Sequence, residues 1–332
     1  MKDGALRAGD TRALARAISA IEMGQAGTED LIQELLAERA AAQATESQII
    51  GLTGPPGSGK STIADGLTAL WRGQGRRVAI LAVDPNSPFT GGAILGDRVR
   101  MQRHAVDRGV FIRSMGARGH LGGVSLATRA TVRLLSALSW DMVLVETVGV
   151  GQSELEICEI ADSVIVVTTA AAGDGVQVIK AGITEIADLF TVNKADLPGT
   201  ERVVRELRDL VRAHREEGVW RIPVIPTVAA EGAAGVAELA AALDQHRRHL
   251  LQSGTQASRA KRRVEEEIVG LVGAYSSDFA RRALADPDLL PADPARANPE
   301  RVAKRILRRL VVEESKMGDA VGDAAADDPR SQ

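Results

Sequence analysis

One glycine-rich segment constrains the fold of this 332-residue chain more than any other feature. Residues 54–61 have the sequence Gly-Pro-Pro-Gly-Ser-Gly-Lys-Ser, which fits the pattern G-x-x-x-x-G-K-[ST]. The short apolar run 49–53 precedes this segment, and a helical pattern covers 61–72. A buried strand, a glycine-rich turn and a helix, in this order, form the context in which the pattern binds phosphate groups. We therefore expect a phosphate-binding loop carried by an α/β fold.

The residues of this loop suit a nucleotide that is bound together with a metal ion. Lys60 is expected to reach the β- and γ-phosphate oxygens, and the Ser61 hydroxyl is expected to bind Mg²⁺. The glycines allow backbone N–H groups to converge on the phosphates, and the helix that begins near Lys60 adds the positive end of its dipole. The predicted nucleotide contacts in this loop are Gly54, Pro55, Pro56, Gly57, Ser58, Gly59, Lys60, Ser61 and Thr62.

Apolar runs and helical patterns alternate over residues 48–252. The apolar runs are 49–53, 78–83, 110–112, 142–145, 164–167, 189–192 and 224–228, and helical patterns such as 124–138 and 201–215 lie between most of them. This alternation predicts a mostly parallel sheet with helices on both faces. Residues 1–47 and 253–318 are predicted to be helical extensions. The small and acidic residues 319–332 are expected to be disordered.

The composition excludes several classes of protein. With a formal net charge of −3, the chain has no overall basic field to attract nucleic acid or an anionic membrane. The single cysteine, Cys158, excludes an intramolecular disulfide and an all-cysteine zinc site. No apolar run approaches the ~20 residues of a membrane span, and residues 1–7 lack the apolar core of a signal peptide. We expect a cytoplasmic protein without nucleic-acid or membrane partners, although a trimmed organellar protein would have the same composition.

A second motif indicates which base the nucleotide carries. The apolar run that begins at residue 189 delivers Asn193, Lys194 and Asp196 in the pattern N-K-x-D. A carboxylate suits guanine, because it accepts from both N1–H and the 2-amino group, whereas adenine has no such pair of donors. Asn193 is expected to brace the neighbouring loops, and the stem of Lys194 to cover the base. The loop after the run 224–228 is expected to complete the base pocket through Thr227, Val228 and Ala229.

A third segment is predicted to sense the metal and the γ-phosphate. The apolar run that begins at residue 142 ends at Glu146, and Gly149 follows three residues later. The acid is expected to hold Mg²⁺ through water, and the N–H of Gly149 is expected to meet the γ-phosphate. Val150 stands where Ras-like proteins place a water-orienting glutamine, so we expect slow hydrolysis that depends on a partner. The alternative is that Glu146 is only a carboxylate at the end of a strand.

The glycine- and proline-rich segment after the run 78–83 carries three further candidates. Asp97 is a candidate magnesium ligand, Asp84 is a candidate for ordering the attacking water, and Arg100 is a candidate for stabilising phosphate charge. The alternative is a surface loop with capping acids. Residues 169–180 are predicted to be a mobile loop in which Asp174 and Lys180 form a nucleotide-dependent pair, or simply a flexible turn.

Taken together, these motifs resemble one known family. The segments GPPGSGKS, AVDPNSPFTGGAILGDR, VETVGVGQSE and VNKAD are similar to those of the MeaB/ArgK group of SIMIBI-class P-loop GTPases. The resemblance covers about residues 1–316. It implies a GTPase chaperone of methylmalonyl-CoA mutase, or of a related adenosylcobalamin-dependent acyl-CoA mutase, that gates cofactor delivery and protects the mutase. The cofactors that it implies are GTP or GDP and Mg²⁺.

The resemblance also implies an assembly and residue roles. It implies a homodimer formed through the C-terminal helices of residues 253–318, and a third switch at 169–180 that relays the nucleotide state to the mutase. Family roles place Lys60, Ser61, Asp97 and Glu146 around Mg²⁺ and the phosphates, and Asp196 on guanine.

Two alternative functions remain open from the sequence. A nickel-inserting GTPase of the same class usually carries clusters of Cys or His, whereas this chain has one cysteine and scattered histidines, of which His120 lies in a glycine-rich segment. A kinase of the ArgK type needs an acceptor pocket and usually a general base, and no motif marks either of them. The sequence does not choose among methylmalonyl-, ethylmalonyl- and isobutyryl-CoA mutases as the partner.

Overall fold

A seven-stranded sheet is the centre of the fold. The structure is a computed structural model that describes residues 3–84, 101–104, 106–116, 126–147, 156–171, 186–213, 220–230, 234–286, 288–289 and 297–310. Within these residues, the strands are β1 (Gln48–Thr53), β2 (Val78–Asp84), β3 (Val110–Gly116), β4 (Met142–Thr147), β5 (Ser163–Thr169), β6 (Leu189–Asn193) and β7 (Val224–Thr227). All the pairings are parallel, in the order β3-β2-β4-β1-β5-β6-β7. Each predicted apolar run overlaps one strand, so the predicted parallel sheet is confirmed.

The predicted helices are also present in the described residues. They are α1 (Asp3–Arg7), α2 (Thr11–Glu22), α3 (Thr28–Ala41), α4 (Lys60–Gly73), α5 (Leu126–Ala137), α6 (Thr200–Ala213), α7 (Val236–Ser253), α8 (Thr255–Ala283) and α9 (299–310). Short 3₁₀ turns occur at Gln102–His104 and Ile157–Glu159. The chain divides into two compact units, Met1–Arg263 and Val264–Gln332. None of the described helices combines the length and the apolar character that a membrane crossing requires.

Helices cover both faces of the sheet, which explains why the strands are apolar at almost every position. In β2, for example, Ala79 and Leu81 belong to the core beneath α2, α3, α5 and α6, whereas Val78 and Ile80 belong to the core beneath α4 and α7. Successive side chains of a strand point to opposite faces, so each strand contributes to both cores. Trp71 and Trp140, each only 1% exposed, fill one core each.

The strand order fixes where a ligand can bind. The first strand, β1, lies in the middle of the sheet between β4 and β5, and Leu52 of β1 is level with Glu146 of β4. The chain therefore leaves neighbouring strands in opposite directions at this point, which opens a crevice beyond their carboxyl ends. The loops that follow β1, β4, β5 and β6 all begin at this edge.

A buried polar cluster lies at the opposite, amino edge of the sheet. His246 of α7 is fully buried, its Nδ1 is 2.8 Å from Ser163 Oγ, and its Nε2 is 3.3 Å from Asp188 Oδ1. Asp188 also accepts two hydrogen bonds from Arg259, at 2.8 and 2.9 Å. Burial lowers the pKa of His246 to about 4, and the nearby Asp188 carboxylate only partly opposes this shift. The imidazole is therefore neutral at pH 7.

This neutral histidine predicts that the folded state weakens in mild acid. Between the folded pKa of about 4 and the ordinary value of 6.5, the unfolded chain binds a proton that the folded chain does not bind. His246 therefore lowers the free energy of unfolding as pH falls through this window, by on the order of 3 kcal/mol in total. Urea unfolding at pH 4.5 and pH 7 should show a smaller pH dependence for His246→Gln than for the wild type. An equal dependence in both proteins would contradict the neutral buried imidazole.

Candidate nucleotide-binding site

The glycine-rich segment forms a tight loop between β1 and α4. Gly54 has a φ of 135°, and a Cβ atom there would lie 2.0 Å from the carbonyl oxygen of Val167. Gly59 caps α4 with a φ of 92°, which places the N–H groups of the first helical turn at the mouth of the loop. Backbone N–H groups and the positive end of the helix dipole at one concave turn form a site for phosphate.

Lys60 lies over this loop and is only 6% exposed. Its Nζ donates to the carbonyl oxygens of Gly54, at 2.8 Å, and of Pro55, at 3.1 Å. These contacts hold the ammonium group at the loop rather than out in solvent. The ammonium group therefore lies in the loop that the sequence predicts to bind phosphate, and its contact with phosphate stays a prediction.

Two of the three predicted metal ligands lie in direct contact. The Ser61 hydroxyl at the start of α4 donates to Oε1 of Glu146, at 2.7 Å, and both residues are nearly buried. Mg²⁺ binds oxygen ligands at about 2.1 Å and usually keeps several waters, so a carboxylate that contacts the candidate ligand Ser61 lies within reach of a metal-bound water, as expected for Glu146. When bound, Mg²⁺ would neutralise charge on the phosphate oxygens.

Asn193 connects the phosphate loop with the predicted base loops. Its Nδ2 donates to the carbonyl oxygen of Ser58 at 2.9 Å. Its Oδ1 accepts from Thr227 Oγ1 at 3.2 Å and from the N–H of Ala229 at 3.3 Å. One buried side chain thus braces the phosphate loop and the loop after β7, as the sequence predicted for this residue.

The remaining residues of the N-K-x-D motif form an open turn beside the phosphate loop. Lys194 has a φ of 58°, and its Nζ donates to the carbonyl oxygen of Gly57 at 3.0 Å. The N–H of Ala195 donates to the carbonyl oxygen of Thr227 at 3.0 Å, which joins this turn to the loop after β7. Asp196 follows in the same turn and is exposed. Its carboxylate is therefore accessible to a ligand.

Gly59 is expected to tolerate no side chain. A Cβ atom at this position would lie 2.2 Å from Asn193 Nδ2, and the φ of 92° is unfavourable for any other residue. We expect Gly59→Ala to break the Asn193–Ser58 hydrogen bond and to weaken nucleotide binding about tenfold or more, in line with the loss of roughly 1–3 kcal/mol at a buried polar group. Titration with a fluorescent guanine nucleotide measures the change. Gly73→Ala, where a Cβ meets nothing within 4 Å, is the control, and equal effects of the two variants would contradict the close approach.

Several predicted residues lie outside the described part of the chain. These are Asp97, Arg100, Gly149, Asp174, Lys180 and His120. Asp84 is the last residue of β2, at the carboxyl edge of the sheet, and its side chain is not described. Sequence analysis also missed a group of contacts around Asp65 on α4, because no local pattern marks them.

The fold and the two loop motifs first define a class of protein. The strand order and the loop after β1 are those of P-loop nucleotide-binding proteins, and the N-K-x-D turn braced against that loop indicates the GTP-binding branch. The sequence matches a family described as "Methylmalonyl Co-A mutase-associated GTPase MeaB" over residues 14–284, which is most of the chain. The chain therefore belongs to the MeaB family of SIMIBI-class P-loop GTPases, as the motifs predicted.

Individual relatives agree with this assignment. A protein of Pyrococcus horikoshii that carries a GTPase name is 44% identical over 284 residues, which cover 85% of this chain and 88% of the relative. The mouse protein named "Methylmalonic aciduria type A homolog, mitochondrial" is 34% identical, over 78% of this chain and 65% of that protein. The crystal structure of an LAO/AO transport system kinase has a TM-score of 0.62 and 25% identity, and the match covers 92% of this chain and 95% of that one.

Proposed function

We propose that this protein binds GTP with Mg²⁺ at the carboxyl edge of its sheet and hydrolyses it. The observation that carries this proposal is the Ser61–Glu146 contact of 2.7 Å beside Lys60, in a loop that Asn193 joins to the base turn. Lys60 would bind the β- and γ-phosphates, and Ser61 and Glu146 would hold the metal, together with Asp97. Asp196 would accept hydrogen bonds from guanine. The likeness to proteins named as GTPases supports the same activity.

We further propose that hydrolysis is slow in the isolated protein and serves a partner. The partner would be an adenosylcobalamin-dependent acyl-CoA mutase, either methylmalonyl-CoA mutase or a related enzyme. Membership of a family described as mutase-associated supports this role. The nucleotide state would control cofactor loading and protection of the mutase. We propose that the protein acts in the cytoplasm. The proposed function involves no nucleic-acid partner and no membrane partner.

Labelled GTP provides the experiment that tests this function. We expect the protein to release the γ-phosphate to water, and we expect an added mutase to accelerate this release at least about tenfold, since partner-supplied groups contribute large factors in such enzymes. If added mutase did not accelerate phosphate release, and if the protein co-purified with no acyl-CoA mutase, the proposed chaperone role would be refuted. The likeness to an LAO/AO transport system kinase makes phosphorylation the second candidate. Label on an acceptor instead of free phosphate would favour the kinase.

We also propose that the protein is a homodimer formed through its C-terminal helices. Val264, Ile268, Val272 and Tyr275 of α8 repeat at intervals of four, four and three residues, and each is more than half exposed. An apolar stripe of this kind is typical of a helix that packs against another protein surface. Light scattering should give about twice the 35.0 kDa chain mass for the wild type, and a monomer for Ile268→Glu combined with Val272→Glu. A monomeric wild type would refute the proposed dimer.

A further inference from the structure

A cleft opens at the amino edge of the sheet, at the opposite end of β1 from the phosphate loop. It lies between the end of α3 and the corner where α7 meets α8, and its volume is about 670 Å³. The nearly buried Ser47 and Ile49, at the start of β1, line it from the side of the sheet. All of its lining residues belong to the compact unit Met1–Arg263. Pockets of roughly 300–1,000 Å³ are of the size that holds small organic molecules.

Small side chains keep this cleft open. Ala40 of α3 lies on one wall, and Ala257 and Ala260 of α8 lie on another. Leu36 and Leu250 add larger apolar side chains. The accessible surface of the cleft is therefore mostly apolar, as in sites that hold the apolar body of a ligand.

One pair of charges in the cleft is already neutralised within the protein. Asp162 is 6% exposed and forms an ion pair with Arg263 of α8. Its Oδ2 accepts from the N–H of Ile49 at 2.9 Å, and Arg263 also donates to the carbonyl oxygen of Ile160 at 3.3 Å. This pair fixes α8 against the sheet, and it presents no net charge to a ligand.

Arg39, at the end of α3, is a lining cation of a different kind. Its Nη1 donates to Ser47 Oγ at 3.2 Å and its Nη2 donates to the carbonyl oxygen of Thr45, and neither partner is a carboxylate. These described hydrogen bonds use two of the five N–H donors of the guanidinium group, so three are left for a ligand. Burial lowers the pKa of Arg39, which shows that its surroundings compensate the positive charge only in part. The group is still charged at pH 7.

The nearby charged groups leave Arg39 accessible to an anion. The carboxylates of Glu46 and Asp141 lie close enough to favour its charge, but each accepts a hydrogen bond from another group. Glu46 Oε2 accepts from Gln256 Nε2, and Asp141 Oδ2 accepts from a backbone N–H, both at 2.6 Å. Arg247 donates to the carbonyl oxygen of Glu46 at 2.7 Å and adds positive charge beside Arg39. A half-buried cation in this setting favours a negatively charged ligand group.

We propose that this cleft binds a small organic anion. Its carboxylate or phosphate group meets Arg39, and its apolar body fills the space between α3 and α8. The planar fork of an arginine binds either head group, so the shared chemistry is an anion on an apolar body. The site is independent of the proposed GTP site, because the two lie at opposite edges of the sheet.

Three ligands with the same apolar chain test the proposal on the full-length protein. They are sodium octanoate, octyl phosphate and octylammonium chloride, each titrated by ligand-observed NMR. We expect both anions to bind, and octylammonium to bind at least about tenfold more weakly, because only an anion accepts charge-assisted hydrogen bonds from Arg39. The tighter anion identifies the preferred head group. Equal affinities for all three ligands, or no binding of either anion, would overturn the proposal.

Variants locate the binding within the cleft. Arg39→Gln should weaken octanoate binding about tenfold, and Ala260→Phe, which fills the cleft, should abolish it. Ala257→Phe is a second filling variant at an exposed position, where a larger side chain is accommodated without unfolding. Arg248→Gln removes the same charge from an exposed residue of α7 outside the cleft, and it should change the affinity less than twofold.

Melting temperatures of the variants confirm that each one is folded. An octanoate affinity of folded Arg39→Gln within twofold of wild type would refute the role of the arginine. Unchanged binding in both filling variants would place the ligand elsewhere.

A second copy of the chain is the alternative occupant of the cleft. The Ile268→Glu, Val272→Glu double variant changes the proposed dimer surface and leaves every lining residue in place. We expect it to bind octanoate with the same Kd as the wild type. If only this variant bound octanoate, the second copy would cover the cleft in the dimer, and the proposed ligand site would be wrong.

Discussion

Lys60→Ala is expected to abolish productive GTP binding. The Lys60 ammonium group already lies at the phosphate loop, bound to the carbonyl oxygens of Gly54 and Pro55. In the proposed complex it faces the β- and γ-phosphates, where charge accumulates as the terminal bond breaks. Alanine leaves these oxygens without the Lys60 ammonium group in a nearly buried site. Removal of one such donor costs about 100-fold or more in the catalytic rate.

Phosphate release and nucleotide titration measure this loss. We expect kcat to fall at least about 100-fold and the affinity for GTP to fall at least about tenfold. Lys304→Ala, at an exposed lysine that pairs with Glu300 on α9, is the matched control and should change neither value. If Lys60→Ala hydrolysed GTP at nearly the wild-type rate, the phosphate site would have to lie elsewhere.

The second large effect is expected from a change at Asp196, the residue proposed to bind the guanine base. Asp196 lies exposed in a turn that Ala195 and Thr227 tie together, and a carboxylate there accepts from both N1–H and the 2-amino group of guanine. Asparagine replaces one acceptor oxygen with an NH₂ donor, which then faces the donor of guanine. Xanthine carries a carbonyl oxygen at the same position, so Asp196→Asn should shift the preference toward xanthine nucleotides.

Competition between GTP and xanthosine triphosphate measures this shift. We expect the affinity of Asp196→Asn for GTP to fall about 100-fold, since a mismatched polar pair at a specificity site costs several kcal/mol. Asp209→Asn changes an exposed acid on α6 in the same way and should keep the guanine preference. Full guanine preference in Asp196→Asn would contradict the assignment of the base site.

The fold could be predicted from the sequence because its signals are local. Each of the seven strands begins within one residue of the start of a predicted apolar run. The glycine-rich loop lies between β1 and α4, as the phosphate-loop pattern requires. The candidate site could be predicted from three short motifs for the same reason. The contact between Ser61 and Glu146, 85 residues apart, could be anticipated only because each residue belongs to a recognisable motif.

Contacts without a motif could not be predicted in this way. Asp65 and Arg103 are 38 residues apart, and Ser163 and His246 are 83 residues apart. Helix packing brings these pairs together, and no motif in the surrounding sequence of either partner predicts the contact.

Asn193 has a consequence for how a ligand is recognised as a whole. Its hydrogen bonds to Ser58 on one side and to Thr227 and Ala229 on the other set a fixed spacing between two half-sites. A nucleotide is then a bivalent ligand: once one end is bound, the other end meets its half-site at a high effective concentration. Guanosine and triphosphate offered as separate molecules lack this advantage. In the proposed complex, the ribose that links the base to the phosphates is therefore itself part of what the protein recognises.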